Sequence, residues 1–294
     1  MKKLSIVLLF MLLFTVACAE NSDNTREEQE NGNEAPDTEE NASNENDDDS
    51  VNEEEEESAM EEVQEQETAE AQYYIDEDSS VIPLEEGIDE NVVLLTIDDA
   101  PDKNALEMAE TLKELDARAI FFVNGHFLDT SEGEETLKQL HEMGFLIGNH
   151  TYHHELLTEL TEEEQREEIV GLNDRVETII GERPKFFRAP NGMNTDFSEK
   201  LVEEEEMVLM NWTYGYDYFE PYMDAKKLTE AMVTGEGPEV DVAYSLLKSG
   251  ANLLMHDRDW TNEALAEIVK GLRDSGYEIV DPTLLETIDS FSEN

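Results

Sequence analysis

Basic residues are scarce in this chain: 19 Lys and Arg stand against 75 Asp and Glu in 294 residues, a formal net charge of -56. A surface so negative repels nucleic acid and anionic lipid, which argues against both as partners. The acidity runs through the whole chain and reads as adaptation to salty or alkaline surroundings rather than as a binding patch. Cysteine is scarcer still: Cys18 is alone, so no internal disulfide can form. No glycine-rich loop follows the first strand-like run, which counts against a nucleotide-binding α/β fold. No internal repeat and no separate carbohydrate-binding module are visible. Histidine numbers only six, yet three of the six fall within residues 150–154, "HTYHH".

The first segment explains itself. Lys2 and Lys3 precede an apolar stretch from Leu4 to Phe14, followed by Thr15, Val16, Ala17 and Cys18. A short basic start, an apolar run of that length and a small residue before the cut make a secretory signal, too short for a permanent membrane helix. With the cysteine at the cut, the segment resembles the signal of bacterial lipoproteins. That resemblance implies residues 1–17 as a cleaved signal and Cys18 as the lipid-bearing first residue. It also implies an extracytoplasmic protein anchored to the outer face of the bacterial cell membrane, touching it through lipid only. From 18 to 72 Glu, Asp, Asn and Ser dominate, with runs such as "DDDS" and "EEEEES" and Arg26 as the one basic residue. No periodic apolar face exists there to offset ordering entropy, so the segment is expected to be a disordered acidic linker.

Residues 73–294 read as one folded domain. "VVLLTI" (92–97) is a buried-strand pattern, and "ALEMAETLKEL" sets Leu106, Ala109, Leu112 and Leu115 on one helical face. "RAIFFV", "FLIGNH", "KFFRAP", "MVLMNW", "ANLLMH" and "YEIVDP" continue as strands, with helical patterns between them. Thr161 and Glu164 form a capping box before a helix whose apolar side carries Ile169, Leu172, Val176 and Ile180. Seven strands alternating with helices predict a parallel sheet covered by helices, closed or nearly closed into a barrel.

In such barrels the carboxyl ends of the strands build the active site. Those ends, or the loops just past them, carry Asp98 and Asp99 ("TIDDAP"), His150 and His154, Arg188 ("FRAPNG"), Asp217 ("NWTYGYDYF") and His256 ("LLMHD"). Two imidazoles four residues apart over a turn can converge on one metal ion, while His153 between them reads as a surface residue. Scattered surface charge would not select five strand ends.

The five motifs, in this order and spacing over about residues 91–282, resemble the polysaccharide deacetylases of carbohydrate esterase family 4. The resemblance implies a distorted (β/α)7 barrel and a hydrolase that removes acetyl groups from N-acetylated sugars of peptidoglycan or chitin-like polymers. By the same resemblance Asp99, His150 and His154 hold one divalent ion, with zinc, cobalt and manganese not distinguished. Asp98 is the general base, oriented and kept ionised by Arg188, and His256 is the general acid supported by Asp217. Pro190 and Asn191 sit at the oxyanion and substrate side, with the Asn191 N–H as donor. Leu254 and Trp212 either wall the acetyl pocket or are ordinary core. Cell-wall polysaccharide is the implied partner, and the chain is expected to act as a monomer. Alternatives within the resemblance are an O-deacetylase of acetylated xylan and a non-catalytic glycan-binding relative. A third is a structural lipoprotein. The family's usual Phe and Gly around the first acidic pair are replaced by Ile97 and Ala100, which is expected to alter that turn because alanine resists positive φ. Tyr218 stands where a tryptophan usually follows the Asp.

The anchor is open to a direct test. The full chain should fractionate with membranes, and Cys18→Ser should yield either uncleaved precursor or released protein; both forms fractionating as soluble protein would remove the anchor.

Overall fold

A computed structural model describes residues 70–288. The signal-like segment, Cys18 and the acidic stretch to residue 69 lie outside the described residues, as do residues 289–294. Among the described residues no helix is long and apolar enough to cross a membrane.

The domain begins with a hairpin that the sequence patterns do not announce, β1 (Tyr73–Ile75) paired antiparallel with β2 (Val81–Pro83). Its strands are three residues each, too short for a period to show. The turn is closed by Asp76, whose carboxylate accepts from the Asp78 and Ser80 N–H groups at 2.9 and 2.8 Å.

Strand and helix then alternate as expected. The strands are β3 (Val92–Ala100), β4 (Ile120–Val123), β5 (Leu146–Asn149), β6 (Phe186–Phe187), β7 (Val208–Leu209), β8 (Ala251–His256) and β9 (Glu278–Ile279). Between them run α1 (Ala105–Glu114), α2 (Ser131–Glu142), α3 (Glu162–Ile180), α4 (Asp196–Glu204), α5 (Ala225–Thr234) and α6 (Asp259–Asp274). The sheet is parallel, in the order β7-β6-β5-β4-β3-β8. The seventh strand departs from the expected barrel circuit: β9 pairs with the amino end of β3, at Val92 and Val93. No ladder joins β7 to β8; the curl is bridged there by the chain after β7, through the single pairing of Tyr214 with Leu253. The barrel is therefore a curled, incompletely closed sheet.

Nearly all of β3 is buried on both sides, and its alternate residues serve two different cores. Leu94 joins Ile120, Phe122, Phe186 and Met210 inside the curl. Val93, Leu95 and Ile97 face the helices, packing with Met108, Leu112, Leu265 and Ile268 among others. Helix α1 buries Ala105, Met108, Ala109 and Leu112, so its inward face is turned slightly from the expected one, with Leu106 and Leu115 only half-buried. The capping box of α3 forms as expected between Thr161 and Glu164.

The amino end of α1 has no cap of its own, because the Asn104 side chain makes no capping hydrogen bond. Its free N–H groups are satisfied from across the sheet. The Asp257 carboxylate, just past β8, accepts from the backbone N–H groups of Asp102, Lys103, Asn104 and Ala105 at 2.8, 3.0, 2.6 and 3.1 Å. Charge on the acceptor and the helix end both favour this arrangement. Asp257→Ala should strand these donors and cost about 3 kcal/mol, summing a lost cap and unsatisfied polar groups. For a domain of this size that is a fall of roughly 6–12 °C in Tm. An unchanged thermal unfolding curve would refute the clamp.

Candidate active site

The parallel register sets the expected residues side by side along one rim. Asp98 on β3 pairs directly with His256 on β8, and Asn149, which precedes His150, pairs with Phe187, which precedes Arg188. In a regular strand, consecutive side chains point to opposite faces. Asp98 and Asp99 escape that rule because the β3–β4 register shifts between Ile97 and Ala100, and Asp99 takes a left-handed conformation with φ 60°. The positive φ falls on Asp99, not on Ala100 as the substitution pattern suggested.

The loop carrying the histidines is fastened at several points. Asn149 donates to the Ile169 carbonyl and Asn173 Oδ1, both at 2.8 Å, and its own Oδ1 accepts from Thr151 N–H at 2.9 Å. Asn124 donates to the His150 carbonyl at 2.6 Å. These bonds hold Thr151 at φ 66°, and His154 in the same loop is also left-handed, at φ 59°. His153 is exposed as expected, its Nδ1 meeting the Glu168 carboxylate at 2.6 Å.

His150 Nδ1 lies 2.7 Å from the Arg188 carbonyl, which can only accept, so Nδ1 carries the proton and Nε2 presents a lone pair. That lone pair faces Asp98 Oδ2 at 3.5 Å and Asp99 Oδ1 at 3.8 Å, and His154 Nε2 lies 3.5 Å from the same Asp99 oxygen. Burial pushes the His150 pKa down against the pull of Asp98 and Asp99, favouring the neutral ligand form. The donor atoms of Asp99, His150 and His154 lie within 4.8 Å of one another. These gaps exceed hydrogen bonds, whereas two donors about 2.1 Å from a tetrahedral ion stand roughly 3.4 Å apart. One carboxylate and two imidazoles at this spacing fit a divalent ion.

Arg188 is fully buried. It donates to Asp98 Oδ1 at 2.6 Å, to Thr96 Oγ1 at 2.8 Å and to the Asn211 carbonyl at 2.7 Å. Its guanidinium lies 4.3 Å from the centre of the Phe122 ring and 5.8 Å from that of Trp212. Trp212 is half-buried, also against Gly192. The third imidazole, His256, donates Nδ1–H to Asp217 Oδ1 at 2.8 Å. Asp217 is fully buried and also accepts from the His256 backbone N–H at 2.6 Å and from Thr261 Oγ1 at 2.8 Å. Burial opposes charge on His256, but the Asp217 carboxylate, by charge and by hydrogen bond, together with Asp98 and Asp99 outweighs it, and its pKa is pushed up to about 9.

Pro190 is buried and Asn191 is exposed at φ 56°, in a tight turn closed by Gly192 and Met193 N–H groups on the Ala189 and Pro190 carbonyls. Leu254 is buried two residues before His256, on the same face of β8. Thus Asp98, Asp99, His150, His154, Arg188, Asp217 and His256 are brought together, with Trp212, Pro190, Asn191 and Leu254 around them; Cys18 lies outside the described residues. Sequence reasoning missed Thr96, Thr261, Asp257 and Arg258. The last two follow His256 directly in "MHDRD", a local density of charge at a strand end that was there to be read.

Comparison with known proteins bears on the same residues. The model of the polysaccharide deacetylase family matches residues 86–209. The chain is 31% identical over 211 residues to the peptidoglycan-N-acetylmuramic acid deacetylase PdaC of Bacillus subtilis, covering 70% of this chain and 42% of that protein. It spans about half the length of the curated relatives it matches. The solved structure of PdaC superposes with a TM-score of 0.57 at 28% identity, covering 70% of this chain and 96% of that one. A CE4 family pseudoenzyme from Bacillus anthracis superposes with a TM-score of 0.56 at 26% identity, covering 64% of this chain and 63% of that one. Curled sheet, rim residues and sequence agree in their likeness to polysaccharide deacetylases, whose family model matches residues 86–209 of this chain.

Proposed function

We propose that this domain is a metal-dependent hydrolase that removes acetyl groups from N-acetylated cell-wall polysaccharide, built on peptidoglycan or chitin-like N-acetylglucosamine. The observation that carries this reading is the pairing, on one rim, of an ion-sized gap between Asp99, His150 and His154 with two separately supported proton-transfer groups, Asp98 and His256. We extend the reading to the whole chain as a monomer held at the outer face of the cell membrane by lipid on Cys18. Support for the anchor lies in the basic, apolar and small-residue order before that cysteine.

An ion held by the three ligands would supply Lewis acidity, making a water nucleophilic near neutral pH and drawing charge from the acetyl carbonyl. Zinc, cobalt and manganese all suit this donor set. The protein's own groups supply the rest. Arg188 occupies Asp98 Oδ1, so Oδ2 is the atom that accepts the proton from the attacking water. The Asn191 N–H is the donor offered to the charge developing on the carbonyl oxygen. His256 has Nδ1 committed to Asp217, so Nε2 delivers the proton to the departing amine.

A fold shared with a pseudoenzyme does not itself imply turnover. Here both proton-transfer groups and all three ligands are present, which favours catalysis over glycan binding alone. The whole chain should bind about one divalent ion and lose activity in excess chelator. His154→Ala should abolish both ion uptake and acetate release while leaving the circular dichroism unchanged, and full activity in chelator would overturn the mechanism.

Amide and ester chemistry separate on His256. An amine leaves poorly without a proton, whereas an aryl alkoxide leaves readily. His256→Ala should therefore lose roughly 10²–10⁴-fold on acetamido sugars and far less on an aryl acetate. Equal losses would assign His256 to another task. Since the acid works protonated, the rate should fall as pH rises toward about 9. Ion charge weakens the Asp98 and Asp99 contributions, so this limb should lie at or somewhat below that value. Asp217→Asn removes the main raising cause and should move the limb to lower pH; a limb that stays in place would separate it from His256.

A further inference from the structure

Asp98 and Asp99 are each held by an arginine, and the two arginines come from opposite directions. Arg188 takes Asp98 Oδ1 at 2.6 Å, and Arg258 Nη2 takes Asp99 Oδ2 at 2.6 Å. The oxygens left over, Asp98 Oδ2 and Asp99 Oδ1, are the pair that face His150 Nε2. The second pairing is absent from the chemistry described above. We infer that Arg258 is a positioning residue for the metal centre: it fixes the Asp99 carboxylate so that Oδ1 alone is offered alongside the two imidazoles. This rests on the proposed metal-dependent function.

Three features support the assignment. First, Asp99 stands at φ 60°, with its side chain 14% exposed, and no other side-chain donor to its carboxylate is found among the described residues. Without Arg258 its carboxylate could rotate and present either oxygen or both. Second, the arginine is itself fixed. It is the N-cap residue of α6, its backbone N–H donates to the His256 carbonyl at 2.8 Å, and its Nη1 donates to the Asp257 carbonyl at 3.1 Å. Nη1 also reaches Asp102 Oδ2 at 3.5 Å, so one guanidinium spans both sides of the rim. Third, a planar guanidinium with a carboxylate is a directional pair that a flexible ammonium reproduces only in part. The positive charge works against cation binding, but it is half-exposed and solvent-screened, whereas the orientation of the ligand is set directly.

Outer partners of metal ligands typically contribute 10–100-fold to affinity. The test uses the full chain, with Zn²⁺ affinity measured by competition with a chromophoric chelator and ligand geometry read from the visible spectrum after Co²⁺ loading. Arg258→Ala should weaken Zn²⁺ binding 10–100-fold and alter the Co²⁺ spectrum with the circular dichroism retained. Arg258→Lys should recover part of the affinity. If the alanine variant does not fold, Arg258→Gln and Arg258→Lys carry the same comparison. Affinity within twofold of wild type together with an unchanged Co²⁺ spectrum would overturn the assignment, as would tighter binding in Arg258→Ala. A wild-type chain that takes up neither ion would instead overturn the functional reading on which this one rests.

Discussion

Two carboxylates on consecutive residues, one of them buried, are the constraint that organises this domain. Like charges about 4 Å apart cost on the order of 4 kcal/mol at the effective dielectric of a protein surface, and more when screened less. Neither Asp98 nor Asp99 can supply its own countercharge, and both obtain it from distant elements. Arg188 arrives at the end of β6 and Arg258 at the start of α6. The sheet order puts β6 three strands from β3 on one side, across β5 and β4, and β8 directly beside it on the other. Placing the two arginines therefore requires most of the curled sheet to be in register. The inner apolar core serves the same end, since Phe122 lies under the Arg188 guanidinium and helps a fully buried cation find a partner surface.

Two of the three imidazoles near this acidic pair, His150 and His256, are driven in opposite directions by their surroundings. His150 has a carbonyl on Nδ1 and an apolar burial that disfavours charge, so it is a neutral donor atom. His256 has a fully buried carboxylate on Nδ1, which favours its cationic form and pushes its pKa up to about 9. Identical side chains thus take opposite protonation states within one site, which is how acid and ligand roles are kept apart. The distinguishing group in each case is the partner of Nδ1, a detail of backbone course rather than of residue type.

Much of this was legible in the sequence because burial in a parallel sheet leaves a plain signature. "VVLLTI" and "ANLLMH" could hardly be anything but interior strands, and polar residues ending such strands had to face a rim. The capping box at Thr161 was likewise a local signal with a local meaning. What stayed hidden depended on contacts between segments far apart in the chain. Asp257 caps a helix more than 150 residues away, and nothing near Asn104 says that its cap is missing. The return of β9 to β3 and the left-handed turn at Asp99 were hidden for the same reason, each decided by tertiary pairing rather than by the pattern of the residues that undergo it. The β1–β2 hairpin is local, and was hidden because its strands are only three residues long.

The pairing of Asp99 with Arg258 closes a loop of 159 residues. The proposed ion ligands Asp99, His150 and His154 all belong to the first half of the folded domain, while Arg258 and the proposed acid His256 lie near its end. A ribosome therefore delivers the three ligands well before the groups that orient and discipline them. Loop closure over such distances is slow, and contacts of this kind form late in folding. A nascent or truncated chain could thus display the ligand triad while holding Asp99 loosely and lacking any proton donor, so that possession of the ligands would mark an unfinished molecule as readily as a competent one.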